Sequence, residues 1–275
     1  MSATEIATDT AAAAVSEDAL AQWREQGYLL LRQAIPRGQA AAFLAAADDV
    51  IAAYEAEPGF AHPGSYTIVQ AIWRTAGLDD LIDHPGTFPT ILGLMGPYLQ
   101  LMGTQIYVRP AGRESDFRWH TDAGRSLQQI RVTDDSLPLN FKVQFFLTDI
   151  PDPDRANFCL VPGSHRHEFP EAGFPAGTDP DGAIQLRVQA GDVAIFPHSL
   201  WHSVAPNHGD SVRRSVTFRY GQMWCRPYDY EKAPAEVLAR MPERRRRLLG
   251  DMGDDYIATD YYKPHDQLEV MLGTK

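Results

Sequence analysis

Cysteine, basic charge and long apolar runs are all scarce in this 275-residue chain, and each scarcity excludes a class of protein. The two cysteines, Cys159 and Cys225, lack metal or redox spacing, which indicates buried thiols in a reducing compartment, although one fortuitous disulfide stays open. The formal charge of -11 argues against a nucleic-acid partner, because polyanion binding needs a basic surface. No apolar run reaches the ~18 to 20 residues of a membrane helix, so no membrane partner is expected.

The amino-terminal segment also lacks the basic region and apolar core of a secretory signal, which leaves a cytoplasmic location as the expectation. We expect residues 1–15 to be a disordered lead and residues 16–275 to form a single domain, since this length suits one sizeable core. Within that domain the patterns predict helical elements over 16–100, a jelly-roll core over 101–223 and a helical carboxy-terminal segment over 224–275.

Helical periodicity and capping residues define the flanking elements. Ser16 precedes a charged first turn and is a plausible helix start, and alanines recur at helical spacing over residues 37–56. Further helices are predicted over residues 89–99 and 233–249, and one early strand over residues 28–32.

From about residue 101 the pattern changes to short runs of alternating polarity separated by turn residues, which is typical of a sandwich or barrel. Turn chemistry occurs at residues 110–112, 151–154, 162–164 and 190–192. The eight predicted strands cover residues 101–109, 118–120, 139–149, 157–161, 184–188, 192–197, 202–204 and 213–223. The fold class is therefore predicted to be mainly β with flanking helices, with enough strands for a double-sheet jelly roll.

Two sites eighty residues apart carry the chemistry. His120 and Asp122 are spaced i, i+2, so on an extended strand both side chains point to one face, and His202 begins a later strand. Two imidazoles and one carboxylate are the ligand set of a ferrous facial triad, which leaves positions open for an acid cosubstrate and O2. Arg213, eleven residues after His202, is a candidate bidentate clamp for the far carboxylate of that cosubstrate.

A His-x-Asp tripeptide is common by chance, so other interpretations stay open. In one, His120 caps a turn, His202 is a hydrogen-bonded core residue and the barrel is a non-catalytic binding module. In another, His198, His202 and His120 bind zinc in a hydrolase or isomerase, although Pro197 and Pro206 argue against the helix that a four-residue histidine spacing suits.

Strand alternation selects candidate pocket residues. Over residues 139–149 the apolar set Val143, Phe145 and Leu147 alternates with Lys142 and Gln144, so one face is predicted to pack under helices and the other to meet the cavity. Candidate polar contacts to the cosubstrate are Lys142, Gln144 and Gln105, with outward, solvated side chains as the alternative. Candidate substrate contacts are Trp119, Arg125, Gln128, Arg131, Trp201 and Trp224, and the long loop over residues 165–182 is a candidate wall of the pocket.

In order and spacing, these motifs resemble the phytanoyl-CoA dioxygenase family of iron- and 2-oxoglutarate-dependent oxygenases. The resemblance runs from the Gly27-Tyr28 strand, through Trp119 to Asp122, the Pro162-Gly163-Ser164-His165 turn and the Gly191-Asp192 strand, to Phe218-Arg219-Tyr220. The residues Asp154 to Phe158 depart from the Asn-Gly-rich turn usual before the family's Pro-Gly-Ser-His, so this rim is expected to differ in shape from that of the family.

The resemblance implies a cupin-like double-stranded β-helix in which His120, Asp122 and His202 bind Fe(II) and Arg213 anchors the C5 carboxylate of 2-oxoglutarate. It further implies O2 as a reactant and hydroxylation of a small-molecule substrate, because halogenating relatives carry Ala or Gly where this chain has Asp122. We expect a monomer or homodimer.

Overall fold

The computed structural model describes residues 6–7, 15–61, 64–115, 117–122, 127, 136–175, 177–253 and 265–271. The predicted disordered lead, residues 1–15, lies outside the described residues apart from Val15 and a two-residue strand, β1 (Ile6–Ala7). Among the described residues, none of the helices combines the length and the apolarity that crossing a membrane requires.

Local sequence signals fix the first helix. In α1 (Glu17–Gln26) the Ser16 hydroxyl accepts the Ala19 N–H at 3.2 Å, which satisfies one free donor of the first turn. The helix ends at Gly27, whose φ of 74° lies in the left-handed region that glycine adopts without strain. The next elements are β2 (Leu29–Arg32), α2 (Arg37–Glu55), β3 (Tyr66–Val69), α3 (Ala71–Arg74), a 3-10 helix (Ala76–Leu81) and α4 (Phe88–Met95).

Two antiparallel sheets form the centre of the molecule. Their strands are β4 (Leu99–Arg109), β5 (Asn140–Phe146), β6 (Phe158–Leu160), β7 (Ile184–Gln185), β8 (Val193–Pro197), β9 (His202–Val204) and β10 (Arg213–Gln222). The major sheet has the order β1-β2-β8-β5-β10-β4-β3 and the minor sheet the order β7-β6-β9, with β1–β2 as the one parallel pair among the described strands. This crossed order of sequence neighbours confirms the predicted jelly roll.

The major sheet separates two apolar clusters. Val143 and Phe145 of β5 lie in the cluster that also contains Phe43 of α2, as the alternation predicted. Phe146, on the other face, packs with residues of β6 and β8 between the two sheets. Burial of each such side chain contributes about 1.5–3 kcal/mol, so both faces of the sheet are stabilised.

Three elements differ from the sequence predictions. The strand expected over residues 118–120 is reduced to an isolated bridge between His120 and His202. The helix expected over residues 233–249 is divided into α5 (Ala235–Arg240) and α6 (Glu243–Leu248), because Met241 is extended before Pro242. Strand β3 was not predicted, and α7 (His265–Met271) lies in the segment expected to be helical.

Candidate metal centre

The two histidines of the candidate centre are paired across the backbone. His120 and His202 form reciprocal N–H to C=O hydrogen bonds of 3.0 and 2.9 Å, which place both rings on one face with their centroids 4.3 Å apart. Each ring has its Nδ1 at 2.8 Å from a carbonyl oxygen, that of Arg118 for His120 and that of Leu200 for His202. Bonded in this way, Nδ1 carries the proton and Nε2 keeps the lone pair that a metal ion binds.

Asp122 completes the group. Its backbone N–H donates to the His198 carbonyl at 2.9 Å, which holds the residue beside β9. One ligand atom each from His120, Asp122 and His202 lies within 4.8 Å of the others. The Oδ2 atom of Asp122 is buried without a hydrogen-bond partner in the described part of the chain, although it lies 3.7 Å from Nε2 of His202. An orphaned carboxylate oxygen facing two imidazole nitrogens fits a divalent transition metal.

Two cations contact Oδ1, the other carboxylate oxygen of Asp122. The Lys142 ammonium lies 2.8 Å from Oδ1 and the Arg219 guanidinium lies 3.4 Å from it. Although burial opposes ionisation, these cations hold the pKa of Asp122 well below its usual range, and Asp122 in turn raises the pKa of Lys142 despite its burial. The carboxylate is therefore ionised at neutral pH, as metal binding requires.

Burial also keeps one of the imidazoles neutral. It lowers the pKa of His202 to about 3, with the Asp122 charge acting in the opposite direction. Phe196 and Phe158 pack against this ring at centroid distances of 5.1 and 5.5 Å and supply part of its apolar surroundings. A neutral imidazole is the form that coordinates metals.

Arg213 lies on the concave face of the major sheet that also faces the candidate metal centre. The direction of its side chain follows from the alternation of side chains along β10. It is 3% exposed, its Nη2 donates to the Ser215 hydroxyl at 3.2 Å, and no described carboxylate lies within ion-pair distance. Burial, with the charge of Arg109, lowers the pKa of Arg213 to about 9, so it stays cationic at neutral pH. A buried guanidinium with no anion of its own indicates a site for an anionic ligand.

The neighbouring arginine faces the other way. Arg214 lies 2.8 Å from the Asp48 carboxylate on α2, so it points away from the face that carries Arg213. The Ser215 hydroxyl also accepts a hydrogen bond of 3.1 Å from the Gln144 amide. Arg213, Ser215 and Gln144 therefore form one network, the Arg213 network.

The remaining predicted polar contacts have the following positions. Gln105 lies in β4, the strand that pairs with β10, and its side-chain oxygen accepts a hydrogen bond of 2.6 Å from the Tyr107 hydroxyl. Lys142 contacts Asp122 and not the Arg213 network. His198, the rival ligand, lies outside the three-residue group, and its Nδ1 is 3.3 Å from the Asn140 carbonyl oxygen.

Two of the predicted substrate contacts, Trp119 and Trp201, pack away from the candidate metal centre. Trp119 packs with Cys159 and Ala205, and its indole N–H donates to Asp179 at 3.0 Å. Trp201 packs against Phe169 and Phe174 of the long loop. Both indoles lie on the opposite face of the minor sheet from the ligands, because each immediately precedes a ligand histidine and strand side chains alternate.

This placement also moves the long loop away from the pocket that it was expected to line. Its described aromatic residues cover the outer face of the minor sheet. Trp224 is 64% exposed, and Arg125, Gln128 and Arg131 lie outside the described residues.

Sequence reasoning gave no role to two residues that the structure places in the site, Arg219 and Ser215. Arg219 reaches Asp122 because it pairs with Lys142 across β10 and β5. For Ser215 a signal existed, since it follows Arg213 at i+2 and therefore shares its face.

A jelly roll whose concave face carries a partly buried His-x-Asp and His cluster defines a metal-binding double-stranded β-helix protein. The family model described as Phytanoyl-CoA dioxygenase (PhyH) matches residues 23–215, most of the chain. The chain therefore belongs to the phytanoyl-CoA dioxygenase family, which places it among the non-haem iron, 2-oxoglutarate-dependent oxygenases.

Two relatives carry dioxygenase names. Dioxygenase andF of Emericella variicolor is 22% identical over 255 residues, 85% of this chain and 84% of that protein. Dioxygenase cdmA of Talaromyces verruculosus is 22% identical over 193 residues, 70% of this chain, and the match spans only 64% of its length.

Solved structures show the same fold at low identity. HygX from Streptomyces hygroscopicus with nickel and 2-oxoglutarate bound has a TM-score of 0.64 at 19% identity, covering 82% of this chain and 94% of that chain. SnoK, a non-heme alpha ketoglutarate dependent carbocyclase from nogalamycin biosynthesis, has a TM-score of 0.61 at 24% identity, covering 78% and 87%. SnoN, an epimerase solved with Fe3+, alpha ketoglutarate and nogalamycin RO, has a TM-score of 0.59 at 23% identity, covering 75% and 83%.

Proposed function

We propose that this protein is an Fe(II)- and 2-oxoglutarate-dependent dioxygenase that hydroxylates an unactivated C–H bond of a small organic metabolite. The carrying observation is the pair of sites on one concave face: a three-ligand group with an orphaned carboxylate oxygen, and a buried arginine that has no carboxylate within ion-pair distance among the described residues. When bound, ferrous iron with 2-oxoglutarate and O2 supplies the oxidation, and succinate and CO2 are released.

In this proposal the three ligands are His120, Asp122 and His202. The Arg118 and Leu200 carbonyls fix the two imidazole tautomers, so both Nε2 atoms are presented as lone pairs. Asp122 presents Oδ2, because Lys142 and Arg219 occupy Oδ1. The chain thus prepares a protonation state that suits the metal before it binds.

Arg213 binds the far carboxylate of the cosubstrate. Its guanidinium is restrained by the Ser215 hydroxyl and lies 5.6 Å from the ring centroid of Phe146. Gln144 restrains the same hydroxyl from β5. A guanidinium held in this way pairs with a carboxylate with little loss of freedom, which favours tight binding.

The zinc alternative is less well supported. It requires His198 to join His120 and His202 as a ligand, whereas the described residues whose ligand atoms lie within 4.8 Å of one another are His120, Asp122 and His202. The names of similar structures include a carbocyclase and an epimerase, so the same cofactors serve several types of reaction. We propose hydroxylation because it requires no positioned group for a second bond-forming step.

Succinate release tests the function directly. The full-length protein is incubated with ferrous iron, ascorbate and 2-oxoglutarate under air, and succinate is measured over time. We expect slow substrate-independent release in the wild type, loss in Asp122→Ala and no change in His208→Ala, an exposed histidine paired with Glu114. Undiminished release from Asp122→Ala contradicts the proposal.

A further inference from the structure

Two cations face each other beside the metal ligand Asp122. Lys142 of β5 and Arg219 of β10 are directly opposite in the register of the major sheet, and their side chains are 11% and 12% exposed. Like charges at opposed positions of neighbouring strands repel one another. Their placement in a largely dry site therefore calls for anions.

The carboxylates of the described structure do not balance this pair in the working enzyme. Asp122 is the carboxylate within ion-pair distance of both cations, and under the proposed function its charge also serves a metal. Asp229 acts on Arg219 from farther away, held by the N–H groups of Thr104 at 3.1 Å and Gln70 at 3.4 Å.

A count of formal charges gives the surplus. A divalent metal and doubly charged 2-oxoglutarate offset each other. Of the remaining groups, the cations Arg213, Lys142 and Arg219 exceed the carboxylates Asp122 and Asp229 by one, before the positive charge of Arg109 beside Arg213 is added. At least one further anionic group is therefore needed to neutralise this set, and buried sites favour neutrality strongly.

Both cations keep free donors for that group. In the described structure a single hydrogen bond, to Asp122, engages the three N–H groups of Lys142. The Arg219 guanidinium lies 4.5 Å from the ring centroid of Tyr228, a residue that is 61% exposed. The Tyr228 ring thus restrains Arg219 and offers an aromatic surface at the solvent side of the cation pair.

We propose that Lys142 and Arg219 bind a carboxylate of the organic substrate next to the metal, and that Tyr228 packs against the ring or apolar portion that carries this carboxylate. The inference rests on the proposed function and narrows its substrate to organic acids. A neutral compound of the same shape leaves the surplus charge uncompensated, so it binds more weakly.

A matched pair of probes tests the charge requirement. Benzoate and its neutral counterpart benzamide are titrated by calorimetry into the full-length protein with ferrous iron and 2-oxoglutarate, under anaerobic conditions. We expect benzoate to bind at least tenfold more tightly than benzamide. Lys142→Met and Arg219→Met should each weaken benzoate at least tenfold and leave benzamide unchanged, and Lys142→Arg should retain benzoate binding.

Arg226→Met is the control, because Arg226 is 78% exposed and paired with Glu231. It should leave both affinities unchanged. Equal affinity for benzoate and benzamide in the wild type, or unchanged benzoate binding in both methionine variants, overturns the proposal. The proposal is also overturned if the two methionine variants lose affinity for 2-oxoglutarate and keep their affinity for benzoate, since the carboxylate that Lys142 and Arg219 bind then belongs to the cosubstrate.

The proposed function is checked on the same samples by the visible band of the iron and 2-oxoglutarate complex. A missing band in the wild type contradicts the proposed function. The ratio of benzoate to benzamide affinity still decides whether the cation pair selects a carboxylate.

Discussion

Replacing Arg213 with methionine separates a binding role from a structural one, because the two roles predict opposite changes in stability. The guanidinium is 3% exposed and has no described carboxylate partner, so the ligand-free protein bears the cost of burying it. Burial lowers its pKa from 12.5 to about 9. At 1.36 kcal/mol per pKa unit this corresponds to roughly 4 to 5 kcal/mol against the charged form.

Arg213→Met removes that cost and keeps an apolar side chain of similar length. Substitution of buried charges by apolar residues is often neutral or stabilising by about 1 to 4 kcal/mol, and we expect the unfolding free energy of the ligand-free protein to rise within that range. The same change leaves the far carboxylate of 2-oxoglutarate without its partner, at a cost of about 3 to 5 kcal/mol. The dissociation constant for 2-oxoglutarate should therefore rise roughly 150- to 4,000-fold.

Urea denaturation and anaerobic calorimetric titration of 2-oxoglutarate measure the two effects. Arg214→Met is the matched control, because Arg214 lies on the opposite face of the sheet, is 29% exposed and pairs with Asp48. It should cost at most about 1 kcal/mol of stability and leave cosubstrate binding unchanged. A destabilised Arg213→Met protein with wild-type affinity for 2-oxoglutarate refutes the reasoning.

Three further predictions concern the ligands and the fold. His202→Ala should lose tightly bound iron by metal analysis while His198→Ala retains it, and the reverse result reassigns the ligand. Burial lowers the pKa of His84 below its ordinary 6.5, so in acid the unfolded chain takes up a proton that the folded chain resists. As the pH decreases from 6.5, the unfolding free energy should therefore decrease, and His84→Gln should make this decrease smaller. An unchanged pH profile in the variant counts against a role for His84. Gly191→Ala should destabilise by more than about 2 kcal/mol, since φ is +97° and its Cβ would lie 2.2 Å from the Ile35 carbonyl oxygen; a wild-type melting temperature contradicts the backbone geometry.

The fold was predictable where the signal is local or strictly periodic. The Ser16 cap and the alternation of Val143 and Phe145 each need only a few neighbouring residues, and both are found as predicted. Strand β3 has four residues and no strong alternation of polarity, so the local sequence does not predict it. Its position at the edge of the sheet is fixed by its pairing with β4. The division of the helix over residues 233–249 was readable from Pro242, which disfavours helix at the residue before it.

The site was predictable as a set of residue types and less so as a set of contacts. The resemblance predicted the position of Arg213, and strand parity predicted that of Gln144. Parity also directs Trp119 and Trp201 away from the side chains of His120 and His202, since each tryptophan immediately precedes one of these histidines. The contact of Arg219 with Asp122 depends on the register of β10 against β5, which pairs residues far apart in the chain and leaves no local signal.

The most direct measurement is an anaerobic titration of the purified protein with ferrous iron and 2-oxoglutarate, followed by visible absorption. We predict a weak charge-transfer band that saturates with one equivalent of each, persists in His208→Ala and disappears in His202→Ala. A wild-type protein that develops no band, or a His202→Ala protein that develops the full band, contradicts the claim that His120, Asp122 and His202 hold a metal that binds the diacid.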